Sequence, residues 1–127
     1  MKRVVLLLIF ILAAAVTAMA SEYEMERVAG DYKVEVHMAN MPAVVGDNEV
    51  EVEIKGLQGH HVKDADVELY YYMPSMSSMN YTTKADLKGN EYKAVVKPTM
   101  PGEWTVDVRF TRRGEEPQKA SFDFDAK

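Results

Sequence analysis

The chain has 127 residues, 20 acidic against 15 basic side chains, a formal charge of −5, 47% apolar residues and no cysteine. This composition argues against a disulfide miniprotein, a cysteine zinc ribbon and a disordered chain. An acidic surface without clustered lysine or arginine repels phosphate, so nucleic acid is not expected as a partner.

At the N-terminus, Lys2 and Arg3 precede an apolar run from Val4 to Val16, followed by Ala18-Met19-Ala20. A basic start, an apolar centre and small closing residues are the parts of a secretory signal peptide, with cleavage expected before Ser21. Removal of residues 1–20 leaves a single domain over residues 21–127 and lowers the formal charge from −5 to −7. The expected location is across the inner membrane, periplasmic or extracellular, with no membrane span after cleavage. The competing reading keeps residues 4–20 as an uncleaved membrane anchor, but those 17 residues are at the short end of a span.

Beyond residue 20 no segment sustains a helical period, whereas a period of two recurs between turn residues, which marks strands. Tyr32, Val34, Val36 and Met38 alternate with Lys33, Glu35 and His37; Pro42, Gly46 and Asp47 then supply turn chemistry. Val50, Val52 and Ile54 alternate with Glu49, Glu51 and Glu53, so the glutamates read as a solvated face. Val67, Leu69, Tyr71 and Met73 form the third run, Asn80 to Leu87 the fourth and Glu91 to Lys97 the fifth. Trp104, Val106, Val108 and Phe110 make the sixth, and Ala120, Phe122 and Phe124 the last. Seven short strands in about 100 residues predict an all-β fold, an immunoglobulin-like antiparallel sandwich, with a small barrel as runner-up.

Six methionines, at 38, 41, 73, 76, 79 and 100, lie at strand ends or in connections. If consecutive strands run antiparallel, Met38, Met41, Met73, Met76, Met79 and Met100 all arrive at one pole. His37 belongs to the same end, although alternation with Met38 turns its side chain to the opposite face unless the strand bulges. Thioethers are soft, polarizable and proton-free near neutral pH, so a cluster of them favours Cu(I), or its analogue Ag(I), over zinc, calcium or magnesium. In a flexible loop, the spacing Met73-Pro74-Ser75-Met76-Ser77-Ser78-Met79 would let three sulfurs converge on one ion. Methionine also fills irregular gaps in cores. Met38 and Met73 continue inward alternations and read first as core, which leaves the functional weight on Met76, Met79, Met41 and Met100.

The segment from about Val62 to Asp125 resembles the YtkA-like domain family, related in style to FixH-like envelope proteins. The residues that carry the resemblance are Asp64-Ala65-Asp66-Val67-Glu68-Leu69, Met73-Pro74 followed by Met76 and Met79, Gly89-Asn90-Glu91-Tyr92, and Met100-Pro101-Gly102-Glu103-Trp104. The resemblance implies an exported β-sandwich associated with copper or with the assembly of respiratory oxidases, and no established enzymatic activity. It also implies Met73, Met76, Met79 and Met100 as ligands, whereas Met38 and Met41 rest on topology alone.

His60-His61 falls between the second and third strands, at the opposite pole. A seven-residue strand is about 23 Å long, so these histidines should not share an ion with the methionines. Trp104 reads as a core residue. Tyr70, Tyr71 and Tyr72 place rings on both faces of one strand, leaving one outer face unusually apolar. The chain holds no nucleophile elbow, no cysteine and no phosphate-binding glycine loop, so an enzyme is not expected. The expected function is a small exported protein that holds a copper ion at one pole and carries or buffers it. The recipient would be an envelope protein such as a copper transporter or an oxidase assembly component. The alternative is a metal-free interaction module that uses the methionine pole or the tyrosine face.

Overall fold

The computed structural model describes residues 23–127; the expected signal peptide lies outside the described residues. Eight strands follow one another: β1 (Tyr23–Ala29), β2 (Tyr32–Met38), β3 (Asn48–Gly56), β4 (Ala65–Met73), β5 (Met76–Lys88), β6 (Glu91–Val96), β7 (Gly102–Arg112) and β8 (Gln118–Ala126). All strand pairs are antiparallel, in the order β1-β2-β3-β6-β5-β4-β7-β8. Strand β5 belongs to both layers: Val67 to Tyr72 of β4 face Ala85 to Asn80, and Asp86 to Lys88 then pair with β6. Counted from β2, the strands lie first, second, fifth and fourth on one sheet and third, sixth and seventh on the other. This is the arrangement of an immunoglobulin-type sandwich.

The alternation seen in the sequence produces this packing directly. Val34, Val36 and Met38 of β2 and Val50, Val52 and Ile54 of β3 face Leu69 and Tyr71 of β4, Trp104, Val106 and Phe110 of β7, and Phe122 and Phe124 of β8 in one buried core. β-Branched and aromatic side chains suit a pleated surface with one face covered.

The additional strand, β1, escaped the pattern because its alternation is inverted at its C-terminal end. Arg27 faces Val34 on the inward row, where its guanidinium lies 5.6 Å from the Phe122 ring centre, while Val28 points outward and is 66% exposed. The arginine covers the open side of the sandwich between β1 and β8, where an apolar residue would be expected.

At the end of the sandwich where β2 finishes, residues 43–45 run beside the end of β8. The Ala43 amide donates to the Asp125 carbonyl (2.8 Å) and the Lys127 amide donates to the Ala43 carbonyl (2.8 Å). Asn48 organises this loop from inside. Its Oδ1 accepts from the Val44 amide (2.9 Å) and its Nδ2 donates to the carbonyls of Val44 (2.7 Å) and Gly46 (3.0 Å). Asn48→Ala leaves these backbone groups without partners at a buried site and is expected to cost about 2 kcal/mol. Urea denaturation checks this: an unchanged midpoint would mean that the loop is held elsewhere.

Candidate metal centre

Strand registers fix which methionines share an end. Met38 faces Val50 at the end of β2, and two residues before Val50, at the start of β3, Asn48 faces Val96, the last residue of β6. From Val96 the chain crosses between the sheets through Met100 to Gly102, which faces Ala126. Met73 and Met76 face each other across the β4–β5 hairpin at the same end, and Met79 lies just before the Asn80–Tyr72 pair. Met38, Met41, Met73, Met76, Met79 and Met100 therefore occupy one pole.

Gly102 lies against one of them, Met73. Its φ is +132°, and a Cβ there would stand 2.9 Å from Cε of Met73, so the backbone of β7 passes directly against that methyl group. Met73, the register partner of Met76, thus packs against the start of β7, two residues after Met100. Met41 and Glu103 border the same depression of about 390 Å³, with Asp123, Phe124 and Asp125 on its other sides.

Burial divides the set. Met38 (1% exposed) and Met73 (5%) are core residues; Met76 is 44% exposed, and Met41, Met79 and Met100 are half-buried against the core. Behind them, Trp104 is fully buried, with its ring centre 6.1 Å from Tyr71 and 6.3 Å from Tyr81. Its Nε1 donates to the Met100 carbonyl at 3.0 Å, and the Tyr81 hydroxyl is 3.2 Å from the Thr99 hydroxyl. An aromatic floor thereby fixes the connection that carries Met100. The expectation of a flexible loop over Met73 to Met79 is corrected. Pro74 and Ser75 make a tight turn, Met76 already starts β5, and the surplus residues Ser77, Ser78 and Met79 are taken up as an irregularity between the 73–76 and 72–80 pairs.

His37 stands apart from the sulfur atoms. The β1–β2 and β2–β3 registers run through it without a bulge, so it projects from the outer face, half-exposed, with its Nε2 3.1 Å from Oε2 of Glu24. Around it stand Glu35, Glu49, Glu51, Glu53 and Glu91. A hydrogen bond with Glu35 holds the Glu24 carboxyl below the usual range, and His37 adds to this; the same bond, with burial, pushes Glu35 up. Glu51 and Glu91 repeat the pattern, with Glu51 lowered and Glu91 raised by the hydrogen bond between them.

At the opposite pole, His61 Nδ1 is 3.1 Å from Oε1 of Glu53 and His60 is exposed. They border a separate depression of about 460 Å³ with Tyr32 and Arg112. The tyrosine face is also more polar than the sequence implied. Tyr70 and Tyr72 face Asp107 and Thr105 across β4 and β7, and both polar residues are buried. Asp107 accepts from the Ser121 hydroxyl (2.6 Å), Thr105 donates to Asp123 (2.8 Å), and the Arg109 guanidinium lies 4.4 Å from the Tyr70 ring centre. Asp107 alternates with the core residues Val106 and Val108 yet is shielded from solvent, because large neighbours roof it over.

Fold and pole together define a small antiparallel β-sandwich capped at one end by methionines. The chain belongs to the YtkA-like family, whose pattern matches residues 17–109. That match begins well before Val62, where the motif resemblance starts, and takes in β1 to β6 and most of β7. No curated protein matches the chain. Among solved structures, it is similar to the soluble domain of PmoD from Methylocystis sp. ATCC 49242 (Rockwell) at 14% identity and a TM-score of 0.54. The likeness covers 81% of this chain and 97% of that one and shows a shared fold. No helix among the described residues is long and apolar enough to cross a membrane.

Proposed function

We propose that this protein is exported and holds Cu(I) at the methionine pole, carrying or buffering it for a partner in the envelope. The observation that carries this reading is the accessibility of Met76, Met79, Met100 and Met41 at one end of a chain that has no cysteine to offer as a competing soft donor. Membership of the YtkA-like family is consistent with a copper-associated envelope protein. In this reading Met38 and Met73 support the site from the core side, and His37 is outside the donor set. Neutral thioethers release no proton on binding, so affinity should change little between pH 7 and 5, unlike that of a histidine or thiolate site. No catalytic step is assigned.

Titration of the protein against a chromogenic Cu(I) chelator tests the reading. One ion withdrawn from the chelator, with similar affinity at both ends of that pH interval, is the expected result. A protein that never competes for copper removes the proposal. It would favour the second reading, a metal-free interaction module, for which the exposed side chains of Val44, Val45 and Met76 at the same pole speak.

A further inference from the structure

The outer face of β1 and β2 carries a second donor set of a different chemistry. Glu24 faces His37 directly across the β1–β2 pair, and Glu35 precedes His37 by two residues on β2, on the same face. One ligand atom from each of Glu24, Glu35 and His37 lies within 4.8 Å of the others. An ion bound at about 2.0–2.2 Å from nitrogen and oxygen donors separates them by about 3–4 Å, which small side-chain rotations reach from this arrangement. Two paired strands hold the three Cβ atoms in a fixed relation, and shallow depressions of about 120 and 40 Å³ border His37.

A patch of carboxylates alone attracts cations diffusely. The imidazole beside the two carboxylates makes this set directional and selects against calcium and magnesium, which prefer oxygen. Across β2 and β3, Glu51 faces His37 and keeps the surroundings negative, while lysines of this face are already paired, Lys33 with Glu26 at 3.4 Å, Lys93 with Glu51 at 3.3 Å and Lys55 with Glu53 at 3.2 Å.

We propose that Glu24, Glu35 and His37 form a surface site for a divalent first-row transition ion, Zn(II) or Cu(II), separate from the methionine pole. The three residues leave the remaining coordination positions to water.

The test is a Zn(II) titration of the wild-type chain by calorimetry at neutral pH, paired with Cu(II) electron paramagnetic resonance. The expected result is one equivalent of Zn(II) bound and a nitrogen coupling on Cu(II). Removing a partner that merely orients a ligand costs about 10–100-fold in metal affinity, so His37→Asn should lose at least that much. His37→Asn should also lose the nitrogen coupling. Glu24→Gln is expected to weaken Zn(II) while keeping the nitrogen coupling. Both variants replace exposed or half-exposed side chains, and an unchanged melting temperature verifies that they fold. The double variant His60→Asn, His61→Asn and the triple variant Met76→Leu, Met79→Leu, Met100→Leu should bind Zn(II) as the wild type does, so this site and the Cu(I) reading fail separately. Equal Zn(II) affinity in wild type and His37→Asn, or a nitrogen coupling that survives His37→Asn and disappears in the double variant, overturns the proposal.

Discussion

Replacing Met76, Met79 and Met100 together by leucine should lower the affinity for Cu(I) by about 100-fold or more, or about 2.7 kcal/mol, with little change in melting temperature. Leucine keeps most of the apolar volume and removes the sulfur. Met76 is 44% exposed, and Met79 and Met100 are half-buried, so their packing contribution is small compared with that of Met38 or Met73. Competition with a Cu(I) chelator gives the affinity, and thermal unfolding gives the stability. The control is Met38→Leu, a core site at which affinity should fall far less. If the triple variant still competes like the wild type, sulfur at this pole does not hold the ion.

Trp104→Ala should cost about 3–5 kcal/mol, a large share of the stability of a domain this size. The indole is fully buried against Tyr71 and Tyr81, and its removal opens a cavity between β7 and the aromatic floor of the pole. Urea unfolding followed by circular dichroism measures the loss; a shift of less than about 1 kcal/mol would show that the pole packs without it. Trp104→Phe separates the two tasks of this side chain. It keeps a ring in the core but removes the donor to the Met100 carbonyl, 3.0 Å away. The connection carrying Met100 then loses its tether, and Cu(I) affinity should fall although the fold is retained.

Much of this architecture could be read from the sequence wherever inward and outward residues differ sharply. Val50, Val52 and Ile54 against three glutamates define both faces of β3, and the Lys88-Gly89-Asn90-Glu91 turn marks the β5–β6 hairpin. Strand β1 could not be read so, because Arg27 faces inward and Val28 outward, and only the opposing Phe122 ring makes sense of the arginine. The pole was legible as topology, since antiparallel connections alone bring Met38, Met41, Met73, Met76, Met79 and Met100 to one end. Local geometry within the pole was not. A regular spacing of methionines fits a loop, a bulge or a strand equally well, and the turn at Pro74-Ser75 decides in favour of the strand. His37 shows the opposite case: simple alternation placed it on the outer face, and the unbroken registers on both sides keep it there. The carboxylates beside it were legible as a charged face. That Glu24 and Glu35 share one donor cluster with His37 depends on the β1–β2 pairing, and β1 was the one strand missing from the sequence pattern.

X-ray absorption at the copper edge of the Cu(I)-loaded protein tests the central claim most directly. A first shell made of sulfur scatterers, reduced in number in the Met76→Leu, Met79→Leu, Met100→Leu variant, is the expected result. A shell of nitrogen and oxygen that is unaltered by those substitutions would contradict it.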